Sequence, residues 1–454
     1  MTINSKPIYA SLAICAVVGG LVSASGQSSP GGAPVFRVVS YMKQHQSPGI
    51  LTEGSPGVFY SILGQPEGVF SVTSQGAKSI LATFANQSIV GPLVTAPNGR
   101  HYSSLGSKPN VGNVFSVGAT PGSVQTYPTT SLPPNLVQGL PDGTLLGTDY
   151  DSNNLYHLLR CDPNGTVSSI YQFPPGETIS QFPTYASDGN YYGVSNLQDG
   201  SGYVYRVTAS GSRTNPYSFP SGTFAYGAAA IPTPIIQASD GNLYGSTGFG
   251  GANGTGTIYK LTLAGQYTLL YTFPSGVNYN PTALIEGSDG NLYGATWARN
   301  GQGIYQLFRV TKSGQYTQIF AMTNGVTEGM CLCWLTMGSD GVIYGSAQSG
   351  GYTGDGVIFA LNIPMPKPAP SARQFSPQSG PAGTKVLIWG YNLLSASVEF
   401  NGAPATGVSN GGPNYVWATV PAGASTGPIT VTTPGGVSTT QASFTVSDEN
   451  RNLR

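Results

Sequence analysis

The stretch "GSDGNLYGAT" (residues 287–296) combines an aspartate, a tyrosine and several glycines in ten residues. Close copies of this stretch contain Asp188, Asp240 and Asp340, and looser copies contain Asp142, Asn98 and Pro56. Successive copies lie 42 to 52 residues apart. A repeat of this length is typical of four short strands and their turns, which form one propeller blade.

The sequence on either side of each copy has the pattern of β-strands. Apolar and polar residues alternate in "GTIYKLT" (256–262) and "GYVYRVT" (202–208), and a later strand is predicted in "YTLLYTFPSG" (267–276). Such alternation, with turn residues between the segments, indicates half-buried strands. Each repeat is therefore predicted to contain four strands, named A to D in chain order, with the Asp-Gly turn between A and B.

The two ends of the repeat region complement each other. The seventh repeat ends at "GVIFALN" (356–362), which is a C strand, whereas "PVFRVVSYM" (34–42) resembles a D strand that precedes the first repeat. Pairing these segments would leave no open sheet edge. The predicted fold is therefore all-β, with a seven-bladed β-propeller over residues 33–363 that is closed by its N-terminal strand.

Composition limits the classes of function. Charged residues make up only 8% of the 454 residues, and Lys plus Arg equals Asp plus Glu at 18 each. A nucleic-acid partner is not expected, because such proteins present a basic face to phosphates. Gly 64 and Pro 35, together with Tyr 27 and Phe 17, favour packed, turn-rich β structure.

The N-terminus has the pattern of an export signal. Lys6 precedes a mostly apolar run over residues 8–22, and "VSASGQ" (22–27) offers small residues for cleavage. The apolar run is short and contains two glycines, so it does not predict a membrane span. Residues 1–26 are predicted to be a signal peptide, and the mature protein is expected to be secreted or displayed at the cell surface.

The repeats resemble the GloVer tandem repeats, and the resemblance rests on "SDGNLYG", the Gly-rich loop that follows it and "YTFPSG". It implies an exported, propeller-like protein without established catalytic residues. After a Pro-rich linker (364–370), residues 371–447 resemble an IPT/TIG domain through "FSPQSGPAGTKVLIWGYNL" (375–393) and "VPAGASTGPITVTTPGG" (420–436). That resemblance implies an immunoglobulin-like sandwich that serves as a spacer or adhesion module. Residues 448–454 form a polar tail.

Three cysteines remain after signal cleavage: Cys161, Cys331 and Cys333. An odd number cannot pair completely within one chain. Buried thiols, one disulfide that involves Cys161, and a metal site are the alternatives. The metal site is disfavoured because the chain holds only three histidines, His45, His101 and His157.

The aspartates of the repeated turn are predicted to be structural. Their carboxylates can accept a backbone N–H within the turn, and the following glycine tolerates a positive φ. This interpretation applies to Asp142, Asp188, Asp240, Asp289 and Asp340. Tyr293 is expected to pack between blades, and Gly294 is expected to let neighbouring blades approach closely.

The loops that differ between repeats are the predicted binding surface, because the B–C and D–A loops share one face and can lengthen without breaking the blades. Aromatic, amide and sparse charged groups in these loops suit sugar binding. The candidate ligand-binding residues are Trp297, Arg299, Asn300, Tyr352, Asp355, Asp151 and His45.

The segment "DYDSNN" (149–154) raises the question of calcium. Asp149, Asp151 and Asn153 alternate as at the start of an EF-hand, but Asn154 replaces the required glycine and Arg160 the final glutamate. An EF-hand is excluded, and another type of calcium site stays open. No other cofactor is expected.

No catalytic residue is assigned from the sequence. A two-carboxylate glycosidase could draw on Asp149, Asp151, Asp199, Glu328 and Asp355. A lyase could use His45 and Tyr352 as base and acid. The leading hypothesis is a non-catalytic protein that binds an extracellular polysaccharide or a cell-envelope component. The alternatives are a polysaccharide lyase or glycoside hydrolase at the same loops, and a structural surface protein with protein partners.

Overall fold

The computed structural model describes residues 33–447, except 44–45, 65–66, 108–110, 129–133, 152, 181, 222–232, 276–278, 280, 283, 297–304 and 323–329. These described residues form strands and turns without a helix. Accordingly, no helix among them is long and apolar enough to cross a membrane. The all-β prediction is confirmed.

Within the described part of the repeats, the chain forms seven antiparallel sheets, here called the first to seventh repeat sheets. The first contains β2 (Thr52–Ser55), β3 (Val58–Leu63), β4 (Gly68–Thr73) and β5 (Lys78–Thr83). The second contains β6 (Ser88–Thr95), β7 (His101–Ser107), β8 (Val111–Val117) and β9 (Gln125–Pro128). The third contains β10 (Asn135–Gly139), β11 (Leu145–Tyr150), β12 (Tyr156–Cys161) and β13 (Val167–Gln172).

The next three sheets repeat this plan with shorter A strands. The fourth contains β14 (Thr178–Ile179), β15 (Thr184–Tyr185), β16 (Tyr191–Asn196), β17 (Gly202–Val207) and β18 (Arg213–Phe219), and both β14 and β15 pair with β16. The fifth contains β19 (Ile236–Gln237), β20 (Leu243–Thr247), β21 (Thr257–Leu261) and β22 (Tyr267–Thr272). The sixth contains β23 (Ile285–Glu286), β24 (Leu292–Thr296), β25 (Tyr305–Val310) and β26 (Tyr316–Met322).

The seventh repeat sheet joins the two ends of the repeat region. It contains β27 (Met330–Met337), β28 (Ile343–Ser349), β29 (Val357–Asn362) and, at its edge, β1 (Val35–Tyr41). Strand β1 pairs antiparallel with β29, as the sequence predicted. This pairing covers the outer edge of the seventh repeat sheet with the first strand of the described residues.

Apolar clusters lie between neighbouring repeat sheets. Leu158 and Tyr205, for example, belong to one cluster shared by the third and fourth sheets. The last sheet packs on the first in the same way, because Phe59 and Tyr344 share a cluster and their ring centroids lie 4.2 Å apart. The packing order is therefore circular.

The A–B turns have one hydrogen-bond pattern. In the sixth sheet the Gly290 N–H donates to the Gly287 carbonyl at 2.9 Å, and the Gly287 N–H donates to the Asn291 carbonyl at 2.8 Å. Gly290 has a φ of 78°. This is the three-residue hairpin loop in which a type I turn is followed by a residue in the left-handed region. Glycine is favoured there because it has no Cβ to clash.

The role predicted for Gly294 is wrong. A Cβ on this residue would lie 2.5 Å from the ring of Phe308, which is its cross-strand partner in the same sheet. The glycine therefore makes room for an aromatic ring within its own sheet, not for the approach of a neighbouring blade.

Neighbouring sheets are also joined by hydrogen bonds between the serine of an A–B turn and a Glu or Gln side chain on the A strand of the next sheet. This contact, here called the clasp, was not predicted from the sequence. The Ser239 N–H and Oγ donate to the two Glu286 carboxylate oxygens, both at 2.7 Å. Gln237 contacts Ser187 in the same way, with the Ser187 N–H donating to Gln237 Oε1 at 2.8 Å. The serine before the aspartate of each of these turns thus contacts the A strand of the next sheet.

The same clasp connects the first and seventh sheets. Glu53 Oε2 accepts the Ser339 N–H at 2.8 Å, and its Oε1 accepts Ser339 Oγ at 2.9 Å and the Gly57 N–H at 2.8 Å. Thr336 Oγ1 donates to the Leu51 carbonyl at 2.7 Å. Residues more than 280 positions apart in sequence are therefore held together by part-buried polar contacts.

Residues 371–446, here called the C-terminal module, form two sheets over one core. The first contains β30 (Ser371–Ser376), β32 (Lys385–Tyr391), β35 (Thr406–Asn410) and β36 (Tyr415–Thr419). The second contains β31 (Ser379–Gly380), β33 (Ser397–Phe400), β34 (Ala403–Pro404), β37 (Gly427–Thr433) and β38 (Gly436–Val446). Ile388 and Val416 of the first sheet share a buried cluster with Ile429 and Phe444 of the second.

The C-terminal module contacts the repeat sheets directly. Tyr415 Oη donates to the Leu140 carbonyl at 2.8 Å, and Trp417 Nε1 donates to the Pro97 carbonyl at 3.0 Å. The preceding Pro-rich segment lies against the A–B turn of the sixth sheet, because Ser288 Oγ donates to the Pro366 carbonyl at 2.5 Å. The segment therefore does not hold the module away from the repeats.

Candidate functional site

Antiparallel order gives the repeat sheets two different ends. The A–B and C–D turns lie at one end, here called the turn end. The B–C and D–A connections lie at the other, here called the loop end. The predicted structural aspartates belong to the turn end, and the candidate ligand-binding residues that the structure describes belong to the loop end.

At the turn end, the Asp289 carboxylate is engaged within its own turn. It accepts the Asn291 N–H at 3.1 Å, Asn291 Nδ2 at 2.7 Å and Tyr293 Oη at 2.8 Å. Burial and the adjacent Asp289 raise the pKa of Tyr293 above its ordinary value. The tyrosine thus remains a protonated donor to the carboxylate.

The other copies of the turn follow this arrangement. Asp188, Asp240 and Asp340 each accept the hydroxyl of the tyrosine four residues later at 2.8 Å. Burial acts to raise the pKa of Asp240, but hydrogen bonds from Asn242 and Tyr244 outweigh it, and the pKa lies below its ordinary value. In the third sheet Asp142 accepts the Thr144 N–H at 3.1 Å and pairs with Arg160.

Asn98 replaces aspartate in the second sheet without loss of the turn. Its Oδ1 accepts the Arg100 N–H at 3.0 Å, and its Nδ2 donates to Tyr102 Oη at 2.8 Å. An amide therefore satisfies the same backbone donor as a carboxylate. The side chain at this position of the turn therefore does not need a negative charge.

At the loop end, two tyrosines expose large parts of their rings. Tyr352 is 69% exposed and Tyr150 is 44% exposed, and both lie at B–C connections. The ring of Tyr41 supports Tyr352 at a centroid distance of 4.9 Å, and the ring of Tyr156 supports Tyr150 at 4.7 Å. Each exposed ring is thus held by a second aromatic ring.

The B–C connection of the third sheet also brings Asp149, His157 and Asp151 together. His157 Nδ1 lies 2.7 Å from Asp149 Oδ1, and His157 Nε2 lies 3.9 Å from Asp151 Oδ2. The side chain of Asp149 is only 7% exposed, whereas that of Asp151 is 25% exposed. A buried carboxylate that binds one imidazole nitrogen orients the ring and leaves the other nitrogen toward the second carboxylate.

The two carboxylates of this group differ in protonation behaviour. Burial raises the pKa of Asp149, although the hydrogen bond from His157 acts in the opposite direction. The pKa of Asp151 lies below its ordinary value because its Oδ1 accepts the backbone N–H of Leu155 and of Asn153. The His157 imidazole therefore lies between two different carboxylates. Asp151 loses its proton readily, whereas Asp149 does so less readily.

Sequence reasoning selected Asp151 for this site but did not select His157. The signal was available, because Asp149 and His157 are cross-strand partners in the β11–β12 hairpin. Side chains of such partners lie on the same face at close range. The turn at Asp151–Leu155 fixes which residues of β11 and β12 lie opposite each other. Recognising this turn in the sequence would therefore have predicted that Asp149 and His157 are partners.

The other candidates do not join this group. Tyr352 and Asp355 lie at the loop end of the seventh sheet, which is not adjacent to the third sheet. Asp199 accepts the Ser201 N–H at 2.9 Å and Ser201 Oγ at 2.6 Å within its own turn. Four candidate residues (His45, Trp297, Arg299 and Asn300) and Glu328 lie outside the described residues.

The described cysteine and histidine side chains give little support to a metal site. Cys161 is a free, buried thiol, so for this residue the buried-thiol alternative is confirmed and the disulfide alternative is not. Burial raises its pKa to about 12. Cys331 and Cys333 lie on β27, and their side chains are outside the described residues. His101 is buried beside Thr95, and burial lowers its pKa to about 4. Among the described side chains, no group of three His, Cys, Asp or Glu is placed to hold a metal ion.

Comparison with known proteins places the chain in a family. It matches the Gloeobacter/Verrucomicrobia repeat over residues 178–408, slightly more than half of its length, and it belongs to that family. The match begins in the fourth repeat sheet and extends into the C-terminal module. A search among curated proteins gave no match.

Solved structures show a β-propeller-like fold. A streptogramin B lyase structure aligns with a TM-score of 0.53 and 19% identity over 72% of this chain and 97% of that chain. A GH74 xyloglucanase from Xanthomonas campestris aligns with a TM-score of 0.51 and 14% identity over 92% of this chain and 66% of that chain. At such low identity the shared property is the fold, and both binding and enzymatic roles stay open.

Proposed function

We propose that the protein is a secreted or cell-surface, non-catalytic binding protein that recognises a glycan or another extracellular polymer at the loop end. In this proposal the repeats form a seven-bladed β-propeller closed by β1, and the C-terminal module is an immunoglobulin-like domain of the IPT/TIG type. Export rests on the signal-like sequence of residues 1–26.

The observation that carries the proposal is the pair of exposed, supported tyrosines. Tyr150 and Tyr352 are the most exposed aromatic side chains among the described large hydrophobic residues, and both lie at the loop end. Exposed rings of this kind can stack on the C–H faces of sugars, while nearby polar groups bind hydroxyls. The low overall charge of the chain favours uncharged hydroxyl-rich ligands over nucleic acids.

A panel of plant, fungal and bacterial polysaccharides tests this function. We expect binding to at least one polymer, and a loss on the order of tenfold or more in Tyr352→Ala or Tyr150→Ala, because aromatic anchors dominate binding energy. Leu269→Ala is the matched control, because Leu269 is also exposed but lies on the D strand β22. Absence of binding across the whole panel would contradict the proposal.

The Asp149–His157 pair favours a second candidate function, a polysaccharide lyase or glycoside hydrolase. An imidazole oriented by a carboxylate can transfer a proton at its other nitrogen. Release of new reducing ends or unsaturated products by the purified protein, lost in His157→Gln and in Asp149→Asn while binding persists, would support catalysis. Binding without any product release would favour the non-catalytic function.

A further inference from the structure

The C-terminal module contacts the turn end through buried aromatic residues. Leu387, Trp389 and Tyr415 form a buried cluster against which Tyr185 of the fourth repeat sheet packs. The rings of Tyr185 and Trp389 meet edge to face at a centroid distance of 5.7 Å. Buried aromatic clusters of this kind occupy the centres of stable interfaces.

Polar contacts extend this interface to several turns. Tyr415 and Trp417 donate to backbone carbonyls in the third and second sheets, at Leu140 and Pro97. Arg373 lies over the Tyr391 ring at 4.6 Å and donates to Gln237 Oε1 of the fifth sheet at 3.3 Å. Each donor meets an acceptor that belongs to a different repeat sheet.

The remaining turns border the module and the segment before it. Ser288 of the sixth sheet donates to the Pro366 carbonyl. A cleft of about 290 Å³ separates part of the module from Pro56 and Gly57 of the first sheet and Asp340 of the seventh. The module and its preceding segment thus contact the second to sixth repeat sheets directly and border the first and seventh across this cleft.

Some backbone positions at this interface leave no room for a side chain. A Cβ on Gly411 would lie 2.5 Å from the Pro97 carbonyl oxygen, and a Cβ on Gly139 would clash with the Tyr415 hydroxyl. Close backbone approach requires glycine on both surfaces. The two surfaces are therefore shaped to each other.

We propose that the C-terminal module is a permanent plug on the turn end of the repeat sheets. The module is neither a spacer nor an adhesion arm in this arrangement. It contacts the repeated turns of several sheets, at the end opposite to the exposed Tyr150 and Tyr352. This inference does not depend on the ligand being a glycan.

Cleavage of the folded protein tests the plug. A protease recognition sequence inserted between Pro364 and Met365 lets the full chain fold first and be cut afterwards. We expect the two fragments to remain together on size exclusion at about 1 μM after cutting. Elution of the wild-type module as a separate fragment would overturn the proposal.

Interface variants of the cleavable protein show whether the observed contacts hold the fragments together. Trp417→Ala, combined with Tyr415→Phe, removes both hydrogen bonds to the turns, and we expect fragment affinity to fall on the order of tenfold or more. Val437→Ala is the control, because Val437 is 62% exposed and lies on the second sheet of the module. An unchanged affinity in the double variant would contradict the proposed interface.

Calorimetry of the uncut protein provides an independent readout if the insertion impairs folding. A plug that shares a buried cluster with the turns should unfold together with the repeat sheets in one transition. Tyr415→Phe should lower the temperature of that single transition. Two separate transitions, with Tyr415→Phe affecting only the module's own transition, would overturn the proposal.

Discussion

At the turn end, four aspartates make the same hydrogen bond to a tyrosine four residues later, whereas the connections at the loop end differ in length and sequence. The C-terminal module packs against the turn end, while the loop end exposes Tyr150 and Tyr352. This difference teaches that the repeated residues maintain the fold. In the proposed function, ligand recognition is left to residues that the repeats do not share.

If the turn end is structural, the largest effect should come from its most buried clasp. Glu53→Ala removes the acceptor of the Ser339 N–H, Ser339 Oγ and the Gly57 N–H. Leaving three part-buried donors unpaired should lower the free energy of unfolding by about 2–3 kcal/mol. Chemical denaturation measures this change. Glu53→Gln is the matched control, because Gln237 fills the same role against Ser187, and its loss should be clearly smaller.

The same clasp should make stability depend on pH in a defined direction. Burial raises the pKa of Glu53 above its ordinary value, although hydrogen bonds from Gly57 and Ser339 oppose this effect. The folded protein therefore binds this proton more tightly than the unfolded chain does. The stability advantage of wild type over Glu53→Gln should be greatest below the ordinary glutamate pKa and should shrink as the pH rises through the raised pKa. Denaturation midpoints at several pH values decide this, and an advantage that grows with pH would contradict it.

A smaller effect is expected at the repeated aspartate. Asp289→Ala removes the acceptor of Tyr293 Oη, a buried hydroxyl, and should cost about 1–2 kcal/mol of unfolding free energy. Asp289→Asn should retain most of the stability, because Asn98 already occupies the corresponding position. Polysaccharide binding, if present, should be unchanged in both variants. A binding defect at wild-type stability would show that the turn end has a direct functional role.

In the interior between the two ends, one substitution should stabilise the fold. The Tyr259 hydroxyl is buried without a hydrogen-bond partner among the described residues, whereas the sixth and seventh sheets have Phe308 and Phe359 at the corresponding position. Tyr259→Phe removes this unpaired hydroxyl and should increase the unfolding free energy by up to about 1 kcal/mol. Thermal and chemical denaturation test the change. A clear loss of stability would indicate that the hydroxyl has a partner such as a buried water.

The smallest stability effect is expected at the loop end. Tyr352→Ala removes an exposed side chain and should change the unfolding free energy by no more than about 0.5 kcal/mol. The same variant should nevertheless weaken ligand binding strongly if the proposed function is right. Parallel denaturation and binding measurements separate the two quantities. A large loss of stability would place Tyr352 with the structural residues of the turn end.

Much of the local structure could be predicted from the sequence. Alternating residues and Asp-Gly turns gave the strands their order, and the unmatched C strand at residues 356–362 predicted its pairing with β1. These predictions succeed because turn geometry and strand alternation depend on residues close in the chain. The pairing of Asp149 with His157 belongs to the same local class, and it was missed only because the hairpin register was not followed to its end.

The remaining features depend on residues that are distant in sequence. Ser339 contacts Glu53 across 286 positions, and Trp417 contacts Pro97 across 320. No local sequence pattern indicates which distant residue Ser339 or Trp417 contacts. The aromatic residues of the C-terminal module could equally have belonged to its own core. Composition alone therefore could not predict the interface with the turns.

For this protein, the sequence by itself determined the repeated hairpin, because hydrogen bonds within five residues and a glycine at positive φ fix that turn wherever it occurs. It also determined the all-β class through the alternation of apolar residues. Only the tertiary structure decided which end of the sheets the C-terminal module contacts. That choice depends on the shape and buried area of two distant surfaces, and these exist only after both have folded.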